Sequence, residues 1–213
     1  MRGEAIRLRG LALLLFFVAA TNCASAQESS GGNQIPKPEE AAASDYGKYL
    51  VNIDAYTSSG SVYHRKHQAL LLSAVRDLVD KKGLDLLPGS VGFYFDRRMN
   101  VREQLFLGYD FTGDPELAKT ASSYADAVRA MLSRYFPDLL SQYQLLAPIL
   151  KETSVNGIVI GVKWAQAGRV ESMNLWVLKD DLERYVSKEL TFKELVIRAT
   201  LTDSSGRIVR ITF

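Results

Sequence analysis

The chain of 213 residues is 47% hydrophobic and 10% aromatic, which is typical of a packed globular protein and excludes collagen-like and wholly disordered chains. It carries 26 lysines and arginines against 24 acidic residues. Three of those arginines and one glutamate lie in the first 26 residues, so the remainder has 23 residues of each sign. Because nucleic-acid binding needs a concentrated cationic face, we expect no nucleic-acid partner.

The N-terminus has the pattern of a bacterial export signal. Three arginines precede an apolar run at 11–20, and Ala-Ser-Ala at 24–26 offers the small residues that signal peptidase accepts. The run is too short to span a bilayer, which takes about 20 residues, and no later stretch is both long and apolar enough. We therefore expect residues 1–26 to be a removed signal peptide and the mature protein to be periplasmic or secreted, with no transmembrane segment.

Two further segments complete the predicted organisation. Residues 27–44 are poor in large apolar side chains, which predicts a disordered tether, and residues 45–213 are enough for a single domain. Cys23 is the only cysteine, and cleavage after residue 26 would discard it. The alternative is a lipid anchor on Cys23, although Asn22 stands where bacterial lipoproteins have a small residue.

The first half of the domain predicts a strand, a helix and a hairpin. Residues 49–56 alternate in polarity as a half-buried strand does, and a helix continuing from residue 41 is the alternative. The periodicity of 62–82 predicts an amphipathic helix that ends before Gly83. The segments 91–96 and 103–111 are aromatic and alternating, which indicates an antiparallel hairpin.

Helical signals dominate the middle of the chain. Asp114, followed by proline and glutamate, predicts a helix start, and the apolar stripe continues to Tyr135. Pro137 is expected to break this helix, and a second amphipathic segment is expected to end or kink near Pro148.

The last third of the chain again has the sequence pattern of strands. Residues 158–164 and 170–178 predict two strands joined by a turn, and 197–202 with 207–213 predict a terminal hairpin. Between these pairs, Asp180 and Thr191 each precede a glutamate at the spacing of a capping box, which predicts two short helices. The expected class is α+β, with amphipathic helices packed on a mixed or mainly antiparallel sheet.

His64 and His67 are the only histidines, and their spacing places them on one face of the predicted helix. Two imidazoles at this spacing can reach one metal ion, and the helix dipole favours their neutral, metal-binding form. A catalytic zinc needs a third protein ligand, and no acidic residue stands at the spacing of metalloprotease motifs. The two histidines are thus candidate metal ligands, with buried hydrogen-bonded helix residues as the alternative. No cofactor is predicted.

Asp54, Tyr56 and Ser58 precede that helix, and the predicted hairpin follows it. This order resembles the start of a von Willebrand factor A domain, whose metal-dependent adhesion site uses an Asp-x-Ser-x-Ser loop at this place. The resemblance implies a degenerate metal-dependent binding domain. Tyr56 replaces the middle serine, and neither the distal threonine loop nor a later Asp-Gly is present.

The tip of the predicted hairpin is basic and flanked by aromatic residues. Arg97, Arg98 and Arg102 are candidates to bind an anionic ligand, with Tyr94 and Tyr109 available for stacking. The alternative is a charged tip that keeps the hairpin soluble.

The sequence predicts function mainly through what it lacks. No nucleophile elbow, phosphate-binding glycine loop or dinucleotide fingerprint occurs in the chain. We therefore expect a monomeric binding or interaction module of the cell envelope or extracellular space, with an unknown protein or envelope ligand as its partner. The alternative is a hydrolase acting on envelope or extracellular material.

Overall fold

The five strands of the computed structural model, which describes residues 45–57, 59–95 and 104–212, form one mixed sheet in chain order. The strands are β1 (Gly92–Phe95), β2 (Leu105–Thr112), β3 (Val155–Gln166), β4 (Arg169–Leu178) and β5 (Thr200–Asp203). The strands β2 and β3 pair in parallel, and the other neighbours are antiparallel. This architecture confirms the predicted α+β class with a mixed sheet.

Within the described ranges, six α-helices pack on this sheet. They are α1 (Gly60–Arg76), α2 (Pro115–Thr120), α3 (Tyr124–Leu140), α4 (Tyr143–Leu150), α5 (Lys179–Val186) and α6 (Phe192–Arg198). Helices α2, α3 and α4 make the long connection that a parallel pair such as β2 and β3 requires. None of the helices in the described ranges is long and apolar enough to cross a membrane.

One face of the sheet carries the main core. Alternate residues of β2, including Leu107 and Tyr109, join Ile160 of β3 and helical residues such as Leu71 and Met131 in one buried cluster. On the opposite face, two further apolar side chains are buried outside this cluster: Phe106 and Val159. The predicted hairpin is confirmed, because β1 pairs with β2. Its basic tip lies outside the described residues.

The predicted strand at 49–56 is wrong. The segment contains two 3-10 turns, Gly47–Tyr49 and Ile53–Ala55, and only Leu50 forms a bridge, in parallel to Val91. The Asn52 side chain accepts a hydrogen bond from the Asp54 amide at 3.0 Å. This local bond closes the second turn, so the backbone leaves the sheet edge that its polarity pattern would have followed.

Helix α1 begins two residues earlier than predicted and passes into a π-helical turn at Asp77–Lys81. Gly83 follows with φ 61°, the left-handed conformation that favours glycine at a helix end.

The long helix predicted after Asp114 is two helices. Asp114 caps α2 as predicted, by accepting from the Glu116 amide at 2.8 Å. Ser123 then caps α3 by accepting from the Asp126 amide, a start that the continuous apolar stripe conceals. Pro137 does not break α3, because it lies in the last turn and the helix continues to Leu140.

The two predicted capping boxes have different outcomes. Thr191 and Glu194 form a complete box at the start of α6. Helix α5 begins at Lys179, and no side chain caps it, so the box predicted at Asp180 is wrong. The terminal hairpin is shorter than predicted because α6 extends to Arg198.

Candidate functional site

A surface cavity of about 500 Å³ lies between the first described segment and helix α1. We call it the His64 cavity. Its polar lining consists of Lys48, Asn52, Asp54, His64, Arg65 and Gln68. The first described segment is held against residues 89–91, just before β1, because the amides of Val51 and Gly89 hydrogen-bond to the carbonyls of Val91 and Lys48, each at 2.9 Å. The wall is the first part of α1, where His64 and Gln68 share a face one turn apart.

His64 is buried beneath the cavity, with 1% of its surface exposed. Its Nδ1 lies 2.9 Å from the hydroxyl of Tyr56, and that hydroxyl also accepts a hydrogen bond from the Phe93 amide at 3.0 Å. If the Tyr56 hydroxyl donates its proton to Nδ1, both buried groups have a hydrogen-bond partner. If Nδ1 carried the imidazole proton instead, the phenol proton would have no acceptor among the described residues. We therefore place the imidazole proton on Nε2, the ring nitrogen that makes no hydrogen bond to a described residue.

Two glycines make room for Tyr56. A Cβ at Gly60 would lie 2.8 Å from Cδ1 of the Tyr56 ring, and a Cβ at Gly92 would overlap the Tyr56 hydroxyl. Because these glycines lie on α1 and β1, the phenol is fixed between a helix and a strand. The positions of Tyr56 and of the imidazole that it contacts are therefore set by tertiary packing.

Burial keeps both members of this pair neutral. Removal from water lowers the pKa of His64 to about 4 and raises the pKa of Tyr56 to about 12. The sequence predicted a neutral His64 from the helix dipole, but burial is the physical cause. At pH 7 the imidazole is therefore neutral and the phenol is un-ionised, so the one remaining imidazole N–H, on Nε2, is an uncharged hydrogen-bond donor.

The cavity carries more positive than negative charge. Lys48 and Arg65 line it, and neither forms an ion pair with a described residue. Asp54 supplies the single carboxylate among the described lining side chains, and it is exposed. The arrangement therefore offers several donors and a net positive field to a small ligand.

His67 belongs to a different cluster, which we call the Glu152 cluster. Its Nε2 lies 2.8 Å from Oε1 of Glu152, in the turn after α4, and Nζ of Lys66 lies 2.7 Å from the same oxygen. The Lys66 ammonium, followed by His67, lowers the pKa of Glu152. The two predicted candidate metal ligands thus have separate partners. Among the described residues, no group of three or more His, Cys, Asp or Glu side chains is placed to hold a metal ion.

The predicted aromatic pair is divided between the two faces of the sheet. Tyr94 is half-buried, and its hydroxyl donates to the Ser90 carbonyl at 2.6 Å. Tyr109 is fully buried in the main core, where desolvation raises its pKa, so its ring offers no surface for stacking. Arg97, Arg98 and Arg102 lie outside the described residues. The structure therefore does not bring the two tyrosines together in one binding surface.

Asp54 and Tyr56 take positions that differ from those the von Willebrand factor A resemblance implies. Asp54 lies in a 3-10 turn rather than at the end of a strand, and Tyr56 contacts His64 instead of facing a shared metal site. Ser58 lies outside the described residues.

Most of the cavity was not predicted from the sequence. Lys48, Asn52, Arg65 and Gln68 carry no motif, and only the spacing of His64 and Gln68 gives a local signal. The cavity exists because the first described segment pairs with the edge of β1, which is a contact between distant parts of the chain. No protein-family model, curated protein or solved structure matches the chain.

Proposed function

We propose that this protein is an exported, non-catalytic binding module whose ligand enters the His64 cavity. The observation that carries the proposal is the arrangement of His64, which Tyr56 fixes through Nδ1 beneath a cavity lined by Lys48 and Arg65. Small-molecule sites fix the orientation of their ligand through a few precisely placed polar or charged groups, and a buried imidazole of fixed orientation beside two cations supplies such groups.

The protonation states favour binding over proton transfer. A general acid or base works best when its pKa lies near the working pH, because it must both gain and lose a proton during turnover. At pH 7, His64, with a pKa of about 4, is the neutral imidazole, and Tyr56, with a pKa of about 12, is the neutral phenol, so both pKa values lie far from the working pH. Such a pair can present a hydrogen bond to a ligand without exchanging the proton.

The binding proposal is tested by titrating the ¹⁵N-labelled protein with glucose, glycine, acetamide, sodium acetate and sodium phosphate. At least one probe should shift the backbone amides of 47–54 and 64–68 together with the His64 ring. Arg65→Gln should weaken that response, and Arg169→Gln, which removes the same charge from the exposed first residue of β4, should leave it unchanged. Probes that shift only amides elsewhere, or none at all, would contradict the proposal.

The export part of the proposal rests on the predicted leader and is tested by a mass measurement. Expressed from the whole gene in a bacterial host, the protein should be recovered outside the cytoplasm with its N-terminus at Gln27. A mass increase that disappears in Cys23→Ser would support the lipid-anchored alternative instead. Uncut protein in the cytoplasm would contradict export.

A further inference from the structure

The cations of the His64 cavity differ from most others on the described surface. Lys66, next to Arg65 in sequence, lies 2.7 Å from Glu152, and Lys81 lies 2.7 Å from Asp77. Arg65 and Lys48 have no such partner among the described residues; Lys48 Nζ lies 5.0 Å from the Tyr49 ring centroid. Because no carboxylate forms an ion pair with either side chain among the described residues, both cations remain available to attract an anion, against the single opposing charge of Asp54.

The uncharged groups of the cavity are also mainly donors. The Asn52 oxygen already accepts from the Asp54 amide, whereas its NH₂ group keeps both protons for donation. Nε2 of His64 carries a proton, and the Gln68 amide can donate as well. Apart from the amide oxygens of Asn52 and Gln68, the acceptor on the described lining side chains is the carboxylate of Asp54, which opposes an anion.

We infer that the His64 cavity binds a small oxyanion, a carboxylate or a phosphate, between Arg65, Lys48 and the Nε2 proton of His64. The inference rests on the proposed function and adds the chemical class of its ligand. The guanidinium of Arg65 can bind two oxygens of such a group at once, and the ammonium of Lys48 adds a second charge. Tyr56 is a positioning residue, because it fixes the imidazole without lining the cavity.

A second cavity of about 380 Å³, between the end of α1 and the start of α4, serves as an internal comparison. There Asp77 pairs with Lys81 and its carboxylate accepts from the Gln142 side-chain amide at 3.0 Å. Among the described residues, Arg76 is then the one lining cation without an ion pair, whereas the His64 cavity has two. An oxyanion should therefore prefer the His64 cavity to this one.

The test compares an anion with its neutral analogue on the full-length protein. Sodium acetate, sodium phosphate and acetamide are titrated at constant ionic strength, and amide and His64 ring ¹⁵N shifts are recorded. Acetate or phosphate should shift the cavity amides and the Nε2 resonance, whereas acetamide should do so at much higher concentration. A stronger response to phosphate than to acetate would identify a phosphate group as the preferred oxyanion, and the reverse would identify a carboxylate.

Variants that remove a positive or a negative charge from the cavity make the test more specific. Arg65→Gln or Lys48→Gln should weaken binding and raise the dissociation constant about fivefold. Asp54→Asn should tighten binding and lower the dissociation constant by a similar factor. Lys193→Gln, an equal change of charge on α6, should have no effect. Equal responses to acetate and acetamide at the cavity would overturn the oxyanion inference and leave the binding proposal intact. Cavity amides that respond to no probe would overturn both.

Discussion

His64 and His67 are one helical turn apart on α1, yet their surroundings are opposite in character. His64 contacts an uncharged phenol and the edge of the sheet, and burial lowers its pKa to about 4. His67 contacts the carboxylate of Glu152, which also pairs with the exposed ammonium of Lys66. One region is therefore held by neutral hydrogen bonds in a desolvated site, and the other by charges close to water.

The difference shows that residue type and spacing do not determine the chemistry of a site. A neutral buried pair should depend on proton binding and hardly on salt, because its hydrogen bonds carry no net charge. A partly exposed charge cluster should respond to salt and contribute less to stability. Each prediction below tests one side of this contrast.

The largest effect is expected from the protonation of His64. Its pKa is about 4 in the folded protein and 6.5 in the unfolded chain, so the unfolded chain binds more protons between these values. The stability that neutral His64 contributes is complete above pH 6.5 and is lost as the pH falls. The free energy of unfolding should decrease by about 2 kcal/mol between pH 6.5 and 5, as measured by urea titration.

Two glutamine variants serve as controls for that measurement. His64→Gln should remove this part of the pH dependence, and His67→Gln should retain it. An NMR titration supplies a direct reading, because the ring resonances of His64 should not move between pH 7.5 and 5. A ring that titrates near 6.5 would show that His64 is not desolvated as described.

The next effect is expected from Tyr56→Phe. The variant keeps the ring between the two glycines but leaves the Phe93 amide and Nδ1 of His64 without their partner. Loss of a buried hydrogen-bonding group of this kind should destabilise the protein by about 1–3 kcal/mol in denaturant unfolding. The loss should be the same in 0.1 M and 1 M NaCl. A strongly salt-dependent loss would mean that this region is not held by neutral contacts.

The Glu152 cluster should give a smaller and salt-dependent response. Glu152→Gln removes the charge but keeps an oxygen that can accept from His67, so the free energy of unfolding should fall by about 1 kcal/mol at low salt. At 1 M NaCl the loss should shrink, since the ion pair is screened in the unmodified protein as well. An undiminished loss at high salt would mean that the Glu152 cluster, like the His64 pair, is held by contacts that salt does not screen.

Local sequence signals predicted which helices and strands form better than they predicted the residues at which these elements begin and end. Asp114 and Thr191 were correctly identified as helix caps because a cap depends on three or four neighbouring residues. The strand predicted at 49–56 failed because one local bond, from the Asn52 side chain, competes with the ladder that alternation favours. The break before Ser123 was missed because the apolar stripe continues through it.

The candidate site was less predictable than the fold. His64 was singled out from its rarity and spacing, and its neutral state was expected, but its partner Tyr56 was considered only as part of a metal-binding loop. The contact between His67 and Glu152 joins residues 85 positions apart, and no periodicity in the sequence reports it. Tyr109 illustrates the reverse error, because strand alternation allows a tyrosine to face either the core or the solvent.

The smallest effect is expected from Lys66→Ala, which tests the most exposed contact of the Glu152 cluster. The side chain of Lys66 is 59% exposed although its ammonium lies 2.7 Å from Glu152. Because water solvates the ammonium nearly as well as the carboxylate does, the loss in unfolding free energy should not exceed about 0.5 kcal/mol. Lys193→Ala supplies the baseline for removing an unpaired lysine. A loss above about 1 kcal/mol relative to that baseline would mean that Glu152 depends on Lys66 to stay charged beside His67. The cluster would then act as a coupled unit rather than as separate surface contacts.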